Sequence, residues 1–368
     1  MCFLDLEKAY DRVDRRKLWE VLREYRVRGE LLNAIRAFYE KSRACVRVGR
    51  ELGELFDVNT GLRQGCVMSP WLFNVFLDSV ISGMDRERRG VRMKLDNDEW
   101  WVNVLLFADD TAIVADTEEE LCYLVKQFER MCDDKGLKIN PGKSKVMKLG
   151  KLIEEEQWVS HVELGGELLE NVDVFRYLGM DIEEGGGVMA EVNHRLNEGA
   201  KVLGGLRKLW GKGNLSREVK VKLFESLWVP SVMYGSGSWV LSNKVRKRVE
   251  LAEMKGLRSI CGIRRLHKVR NLRVREMCGW KKSAVERVEH NGSKWFGHVC
   301  RMDNERLAKR VWLSEVEGVR GRGRPKLRWM DGVKDVLGAR GLTVMEAKRV
   351  AEDRRSWRNV VYGGVREG

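Results

Sequence analysis

Phe107-Ala108-Asp109-Asp110 is the stretch whose reading decides the fold. Residues 102–108 lead into the two aspartates and 111–115 lead out. Val102, Val104, Leu105 and Leu106 on one side, and Ala112, Ile113 and Val114 on the other, are apolar and mostly β-prone. Two such runs joined by a short polar tip predict a tight, largely buried β-hairpin. Asp109 and Asp110 at its turn repel each other and lose hydration, which is costly unless a cation lies between them. The pair therefore points to a divalent-metal site at a sheet edge. Aspartate is also common in turns for local hydrogen-bonding reasons, so an Asp-Asp turn alone is more often an exposed turn with no ligand. The surrounding sequence tips the balance.

Upstream, Cys2-Phe3-Leu4 predicts a short apolar strand ending at Asp5. Two helical patterns follow, Leu18, Val21, Leu22 and Tyr25, then Leu31, Leu32, Ile35 and Phe38, with Gly29 as a break. Residues 46–48 and 55–58 read as paired strands around Gly49 and Gly53. The loop Gly61-Leu62-Arg63-Gln64-Gly65 opens onto a helix that starts near Ser69-Pro70, with serine as cap and proline in the first turn. Downstream of the hairpin, Thr117 and Glu120 form a capping-box pattern, and Gly136 ends that helix. Strand-like pieces recur to about Ile182. Gly185-Gly186-Gly187 marks a boundary, and beyond it the chain is mainly helical.

The chain has 368 residues, 43% apolar and 34% charged, which is a globular rather than a disordered composition. No apolar run approaches the length of a membrane span, and the N-terminal residues lack the order of a secretory signal. Eight scattered cysteines without a CxxC pair read as reduced thiols, the expectation for a nuclear or cytoplasmic protein. The net charge of +14 is unevenly placed: residues 1–200 carry 29 basic and 38 acidic side chains, whereas 201–368 carry 40 and 17. An acidic half holding a carboxylate cluster, joined to a basic half, fits a protein that grips a polyanion with one part and works on it with the other.

If the strand ending at Asp5 lies beside the hairpin, three carboxylates converge. Such a trio suits two Mg²⁺ ions serving an in-line phosphoryl displacement, with substrate phosphates and water completing the coordination. At these residues the chain resembles the reverse transcriptase of non-LTR (LINE-type) retrotransposons. The segment Phe3-Leu4-Asp5-Leu6-Glu7-Lys8-Ala9-Tyr10-Asp11 is similar to the first palm motif of that family. Gly61 to Pro70 is similar to the second, Phe107-Ala108-Asp109-Asp110 to the third, Gly136-Leu137-Lys138-Ile139-Asn140 through Lys143 to the fourth, and Tyr177-Leu178-Gly179 to the fifth. They occur in family order over residues 1–180. Trp295-Phe296-Gly297-His298 and Gly323-Arg324-Pro325-Lys326 also resemble the C-terminal part of such elements.

The resemblance implies an α+β fold: a polymerase palm, an antiparallel sheet with packed helices, followed by a helical thumb and a basic C-terminal region. The implied divisions are 1–184 for the palm with partial fingers, 185–265 for the thumb, and 266–368 for the basic nucleic-acid-binding region. The implied activity is RNA-directed DNA polymerisation, with an RNA template, a DNA primer and deoxynucleoside triphosphates as partners. Asp5 and Asp109 become the chief ligands of two Mg²⁺ ions (or Mn²⁺), with Asp110 as the third carboxylate. Tyr10 would lie under the incoming sugar and exclude a 2′-hydroxyl; packing is its plainer role. Gln64 and Gly65 would approach the nascent base pair, and Lys143 would protonate or bind the departing pyrophosphate. The chain begins four residues before Asp5, without the family's upstream fingers, so the expectation is an N-terminally truncated copy with weak or no polymerisation.

In the basic half, Lys201, Arg207 and Lys208 are candidate phosphate contacts. Arg322 and Arg324 lie in a basic loop that reads equally as a minor-groove arm or as a solvated linker. Eight of the 13 tryptophans lie after residue 200; interleaved with Lys and Arg they could stack on bases, but most read as helix-packing core. Cys278, His290, His298 and Cys300 have irregular spacing that favours buried thiols and ordinary histidines over zinc. The alternative to a polymerase is a catalytically inactive nucleic-acid-binding remnant of a retroelement.

Overall fold

Cys2, Phe3 and Leu4 are all buried, so the short β1 (Cys2–Asp5) takes the middle of a sheet rather than its edge. In the computed structural model, which describes residues 1–84, 88–150, 160–212, 215–314 and 327–363, that sheet has five strands. The others are β2 (Val104–Phe107), β3 (Asp110–Ile113), β4 (Lys145–Val146) and β5 (Glu170–Asn171), in the order β5-β4-β1-β3-β2. Three of its pairings are antiparallel; β4 and β5 run parallel, a departure from a purely antiparallel palm sheet. The chain divides into two compact units, Met1–Leu178 and Gly179–Gly368.

In the first unit the helices are α1 (Ala9–Arg12), α2 (Arg15–Glu24), α3 (Gly29–Glu40), α4 (Ser69–Ile81) and α5 (Glu118–Lys135). Leu18, Phe73, Phe76, Leu124 and Phe128 from these helices join Cys2, Leu4 and Ile113 of the sheet in one core. Each such side chain contributes roughly 1.5–3 kcal/mol by leaving water. The α5 boundaries follow the sequence closely. Thr117 accepts from the Glu120 amide (3.2 Å), and Gly136 closes the helix in the left-handed conformation. The capping box is not reciprocal, however: the Glu120 carboxylate accepts instead from the Gly90 amide at 3.4 Å.

Several expectations change in detail. The α3 helix buries Leu32, Ile35 and Tyr39 and leaves Leu31 and Phe38 61% and 62% exposed. Its inward face follows Tyr39, whose hydroxyl finds a buried partner in Ser69 Oγ at 3.2 Å. Ser69 is the first residue of α4 and not its cap; its Oγ donates to the Arg63 carbonyl (2.7 Å). Residues 46–48 and 55–58 do not pair with each other. Arg43–Ala44 pairs with Phe56–Asp57, and Arg47–Val48 pairs with Glu51–Leu52. Val102 belongs to a separate hairpin, Val91–Leu95 with Asp98–Val102. That leaves β2 as an edge strand, half-buried rather than buried, with Phe107 64% exposed.

The second unit is helical beyond its first strand, Met180–Glu183. The helices are α6 (Met189–Lys212), α7 (Arg217–Leu223), α8 (Val229–Met233), α9 (Asn243–Ile260), α10 (Asn271–Cys278), α11 (Ala284–Cys300), α12 (Leu307–Leu313), α13 (Trp329–Gly338), α14 (Val344–Glu352) and α15 (Arg354–Tyr362). A π-helical turn, Phe224–Trp228, joins α7 to α8. One apolar core runs from Val192 to Val288 and a smaller one from Phe296 to Val361. Trp210, Trp228, Trp239, Trp280 and Trp357 are buried in them, the helix-packing role expected for most of these residues. Fully buried Glu253 ties three helices together. Its carboxylate accepts from Arg275, from Trp280 Nε1 (2.8 Å) and from the Ala284 amide. Among the described residues no helix is long and apolar enough to cross a membrane.

Candidate active site

The site is set by strand register. β1 and β3 pair antiparallel with Asp5 directly opposite Asp110, and β2 and β3 pair with Phe107 opposite Asp110. Directly opposed residues on neighbouring strands point to the same face, so Asp5 and Asp110 share one. The closing pair leaves a two-residue turn, Ala108-Asp109, and Asp110 begins the return strand instead of sitting in the turn. Ala108 holds a φ of +53°, a left-handed conformation that an L-residue adopts at a cost of roughly 1 kcal/mol. Strain of this size persists where surrounding structure imposes it, commonly at functional tips.

A second segment wraps the Asp5 end. The Glu7 amide donates to the Lys138 carbonyl (2.8 Å), and the Asn140 amide donates to the Asp5 carbonyl (2.8 Å). The Asp5 amide in turn donates to Ser144 Oγ (3.3 Å). Together these bonds lay residues 138–144 beside β1 and bring Lys143 Nζ to 3.5 Å from Asp5 Oδ2. Both side chains are substantially exposed, so this ion pair adds little to stability. Its value is placement.

Asp110 feels the other two carboxylates. Asp110 has its carboxyl pushed above the ordinary range, first by burial, then by the charges of Asp109 and Asp5. Asp109 also acts with burial to raise the phenol of Tyr10, and Asp110 does the same for Tyr177. Tyr10 sits on α1 with its ring stacked on Phe73, centroids 4.5 Å apart. Tyr177 donates to the Leu105 carbonyl of β2 at 3.4 Å. Gln64 and Gly65 are exposed in the loop before α4; Gly65 has a φ of +80° and open space where a Cβ would project. The tight approach is at Gly61, where a Cβ would stand 2.8 Å from the Asp11 carbonyl oxygen. There the loop is stitched to the Tyr10 segment, the Gly61 amide donating to Val13 (2.9 Å) and the Leu62 amide to Tyr10 (2.8 Å).

Among the described residues no three His, Cys, Asp or Glu side chains form a ready-made cage for an ion. Mg²⁺ seldom needs one: it is commonly held by one or two carboxylates, with substrate phosphates and waters filling the other positions. A hard-oxygen donor set in which Asp109 and Asp5 bear on the Asp110 carboxylate fits that mode. The same repulsion sets a pH dependence. An acid whose folded pKa is raised imposes no penalty below its unfolded value, and the penalty enters as pH climbs through the folded value. Asp110→Asn is therefore expected to raise the metal-free melting temperature at pH 7 by about 1–2 °C, allowing for solvent screening. Scanning calorimetry at pH 3, where both forms are neutral, should show no difference.

The other candidate residues lie elsewhere. Lys201, Arg207 and Lys208 are exposed on α6 in the second unit. There Lys201 pairs with Glu198 (2.6 Å), and Arg207 donates to Ser259 Oγ (3.0 Å). Arg322 and Arg324 fall outside the described residues. Cys278 lies with its Sγ 3.2 Å from that of Cys261, and His290 packs edge-on to Tyr362.

The residue that sequence reasoning missed is Arg15. It is buried, and its guanidinium donates to four carbonyls: Gly61 (2.9 Å), Tyr39 (3.1 Å), Val58 (2.6 Å) and Thr60 (3.2 Å). It thereby pins the strand leading into the Gln64 loop. No local sequence signal marks it, because an arginine opening a helix ordinarily faces water.

Residues 1–182 match the family described as reverse transcriptase (RNA-dependent DNA polymerase). A putative uncharacterised transposon-derived protein of Caenorhabditis elegans is 25% identical over 272 residues, covering 70% of this chain and 94% of its own. The retrovirus-related Pol polyprotein from the type-1 retrotransposable element R2 of Nasonia vitripennis is 28% identical over 200 residues, 52% of this chain and 19% of that one. The RNA-directed DNA polymerase from the mobile element jockey of Drosophila funebris is 22% identical over 275 residues, 71% of this chain and 28% of its own. This chain thus spans under a third of either polymerase-bearing relative. Among solved structures, telomerase from Candida albicans aligns at 10% identity and a TM-score of 0.39, over 70% of this chain and 47% of that one. Residues 1–182 of this chain thus match the reverse transcriptases, and its likeness to R2 and jockey supports the non-LTR retrotransposon branch of that family.

Proposed function

We propose that this chain carries out RNA-directed DNA synthesis, extending a DNA primer on an RNA template with deoxynucleoside triphosphates. The observation that supports the reading is the β1–β3 register, which sets Asp5 opposite Asp110 beside the Asp109 turn. Asp5 and Asp109, with Asp110, are the residues that would hold two Mg²⁺ ions. Bound Mg²⁺ supplies charge neutralisation at the triphosphate and activation of the primer hydroxyl. Lys143, whose Nζ lies 3.5 Å from Asp5 Oδ2, would neutralise or protonate the departing pyrophosphate. Tyr10, held flat by Phe73, presents a fixed ring to the incoming sugar, and Gln64 and Gly65 present an exposed turn to the nascent pair. In this reading 1–184 is palm with partial fingers, 185–265 thumb carrying Lys201, Arg207 and Lys208 toward the duplex, and 266–368 a basic region, all within an intracellular protein.

The test is Mg²⁺-dependent addition of nucleotides to a labelled DNA primer annealed to RNA. Incorporation supports the polymerase. Tight binding of the primer–template without incorporation makes the chain a nucleic-acid-binding remnant instead. In an active preparation, Tyr10→Ala should relax the preference for deoxynucleotides over ribonucleotides by about 10–100-fold, read from the ratio of kcat/KM values.

A further inference from the structure

In the second unit, α11 and α15 approach each other closely at Gly297. A Cβ at Gly297 would stand 2.0 Å from the Trp357 indole nitrogen, which donates to the Ser293 carbonyl at 3.1 Å. Locked in that way, the two helices flank a groove of about 370 Å³. Lys294, His298 and Arg301 line it from α11 and its C-terminal cap; Arg354, Arg358 and Tyr362 line it from α15. Spacings of four and three from Lys294 to Arg301, and of four from Arg354 to Tyr362, put each set on one face of its helix. Among the described residues no carboxylate lines the groove and no ion pair engages Lys294, Arg354 or Arg358. Cations gathered without acids repel one another, and an incoming anion relieves them.

Tyr362 closes one end, 50% exposed. Three cations surround its ring: Lys294 at 5.2 Å, Lys282 at 5.6 Å and Arg358 at 5.7 Å from the centroid. His290 meets the ring edge-on at 4.4 Å. Burial, then Lys294, Lys282 and Arg340, push its pKa down to about 4, so near neutral pH it adds no charge. The acids Glu286, Glu289 and Asp335 line a neighbouring cavity that shares Val361 and Tyr362. The Glu286 carboxylate is already committed to the Ser283 amide (2.6 Å) and Glu289 to Arg246.

A small phosphate would use the cations and leave the ring idle. A duplex would offer phosphates and no open base face. An unpaired strand offers both, a backbone for the cations and a base for the ring. We propose that the α11–α15 groove binds single-stranded nucleic acid, with a base stacked on Tyr362 and the adjoining phosphates held by Lys294, Arg354 and Arg358. The site rests on the reading of this chain as a nucleic-acid protein and not on polymerisation; its preorganised walls limit the ordering cost of binding.

The test is fluorescence anisotropy of the full chain with labelled oligo(dT) and oligo(U), in parallel and over a range of salt. Replacing both Arg354 and Arg358 by Gln should flatten the slope of log affinity against log salt by about 1.4, the value for two lost phosphate contacts on a single strand. Tyr362→Leu should weaken binding about tenfold with the slope unchanged, while Tyr362→Phe binds as the parent does. All three positions are exposed, and a melting curve verifies folding; Lys294→Gln serves as a second probe of the slope. Parental affinity and slope in the double arginine variant, or parental affinity in Tyr362→Leu, overturns the site. Whether DNA or RNA binds more tightly identifies the strand. Primer extension on the same proteins separates the two readings. Single-strand binding without extension sinks the polymerase and keeps the groove; extension with unaltered single-strand binding in the variants sinks the groove alone.

Discussion

Asp109→Asn is expected to lower Mg²⁺-dependent nucleotide addition by about 10³-fold and to leave affinity for the primer–template within about twofold. The change is isosteric and sits at the exposed tip of a two-residue turn, so the β2–β3 pairing has no reason to shift. Nor should the protein weaken. Removing one negative charge relieves Asp110, whose carboxyl is held high in part by Asp109, so a metal-free melting curve should stay level or rise. The increment in melting temperature that Mg²⁺ gives the parent should shrink or vanish in the variant. Residual activity above about a tenth of the parent's, in a variant that has also lost its Mg²⁺ response, would separate the carboxylate from the chemistry.

Arg15→Met carries the largest stability effect, about 3–4 kcal/mol, because it strands four buried or part-buried carbonyls at once. For a unit of this size that corresponds to a drop in melting temperature of about 10 °C. Methionine keeps most of the volume, so the loss reports hydrogen bonds rather than a cavity. Arg15→Lys should recover only part of it, since an ammonium on a thin stem cannot reproduce a guanidinium fork spanning carbonyls from Tyr39 to Gly61. Urea titration of the two variants beside the parent measures both values. Equal midpoints for parent and Arg15→Met would mean that water satisfies those carbonyls without help.

The elements that build the candidate site were legible because their signals are local. Two apolar runs about an aspartate pair predict the hairpin, and a capping threonine with a terminal glycine predicts α5. A short apolar strand ends on Asp5 as read. What escaped depends on partners distant in the chain. The exposed side of α3 was misassigned because Tyr39 is drawn inward by Ser69, thirty positions away. The edge status of β2 follows from which strand β1 chooses as neighbour, and no property of residues 104–107 reveals that choice. Arg15 escaped for the same reason, since its importance lies in carbonyls contributed by Val58 and Thr60, and the close packing of Gly61, though its loop was legible, depends on the distant Asp11 carbonyl.

The pairing of β1 with β3 also bears on how copies of such an element lose activity. Side chains alternate along a strand, so adding or removing one codon within residues 2–5 or 110–113 would turn Asp5 or its opposite number toward the core. Substitutions scattered over the helices would erode melting temperature by degrees, whereas on the proposed polymerase reading a single three-nucleotide indel in either strand would silence the copy at once. Among ageing genomic copies, preserved strand length should therefore mark recent mobility better than overall identity does.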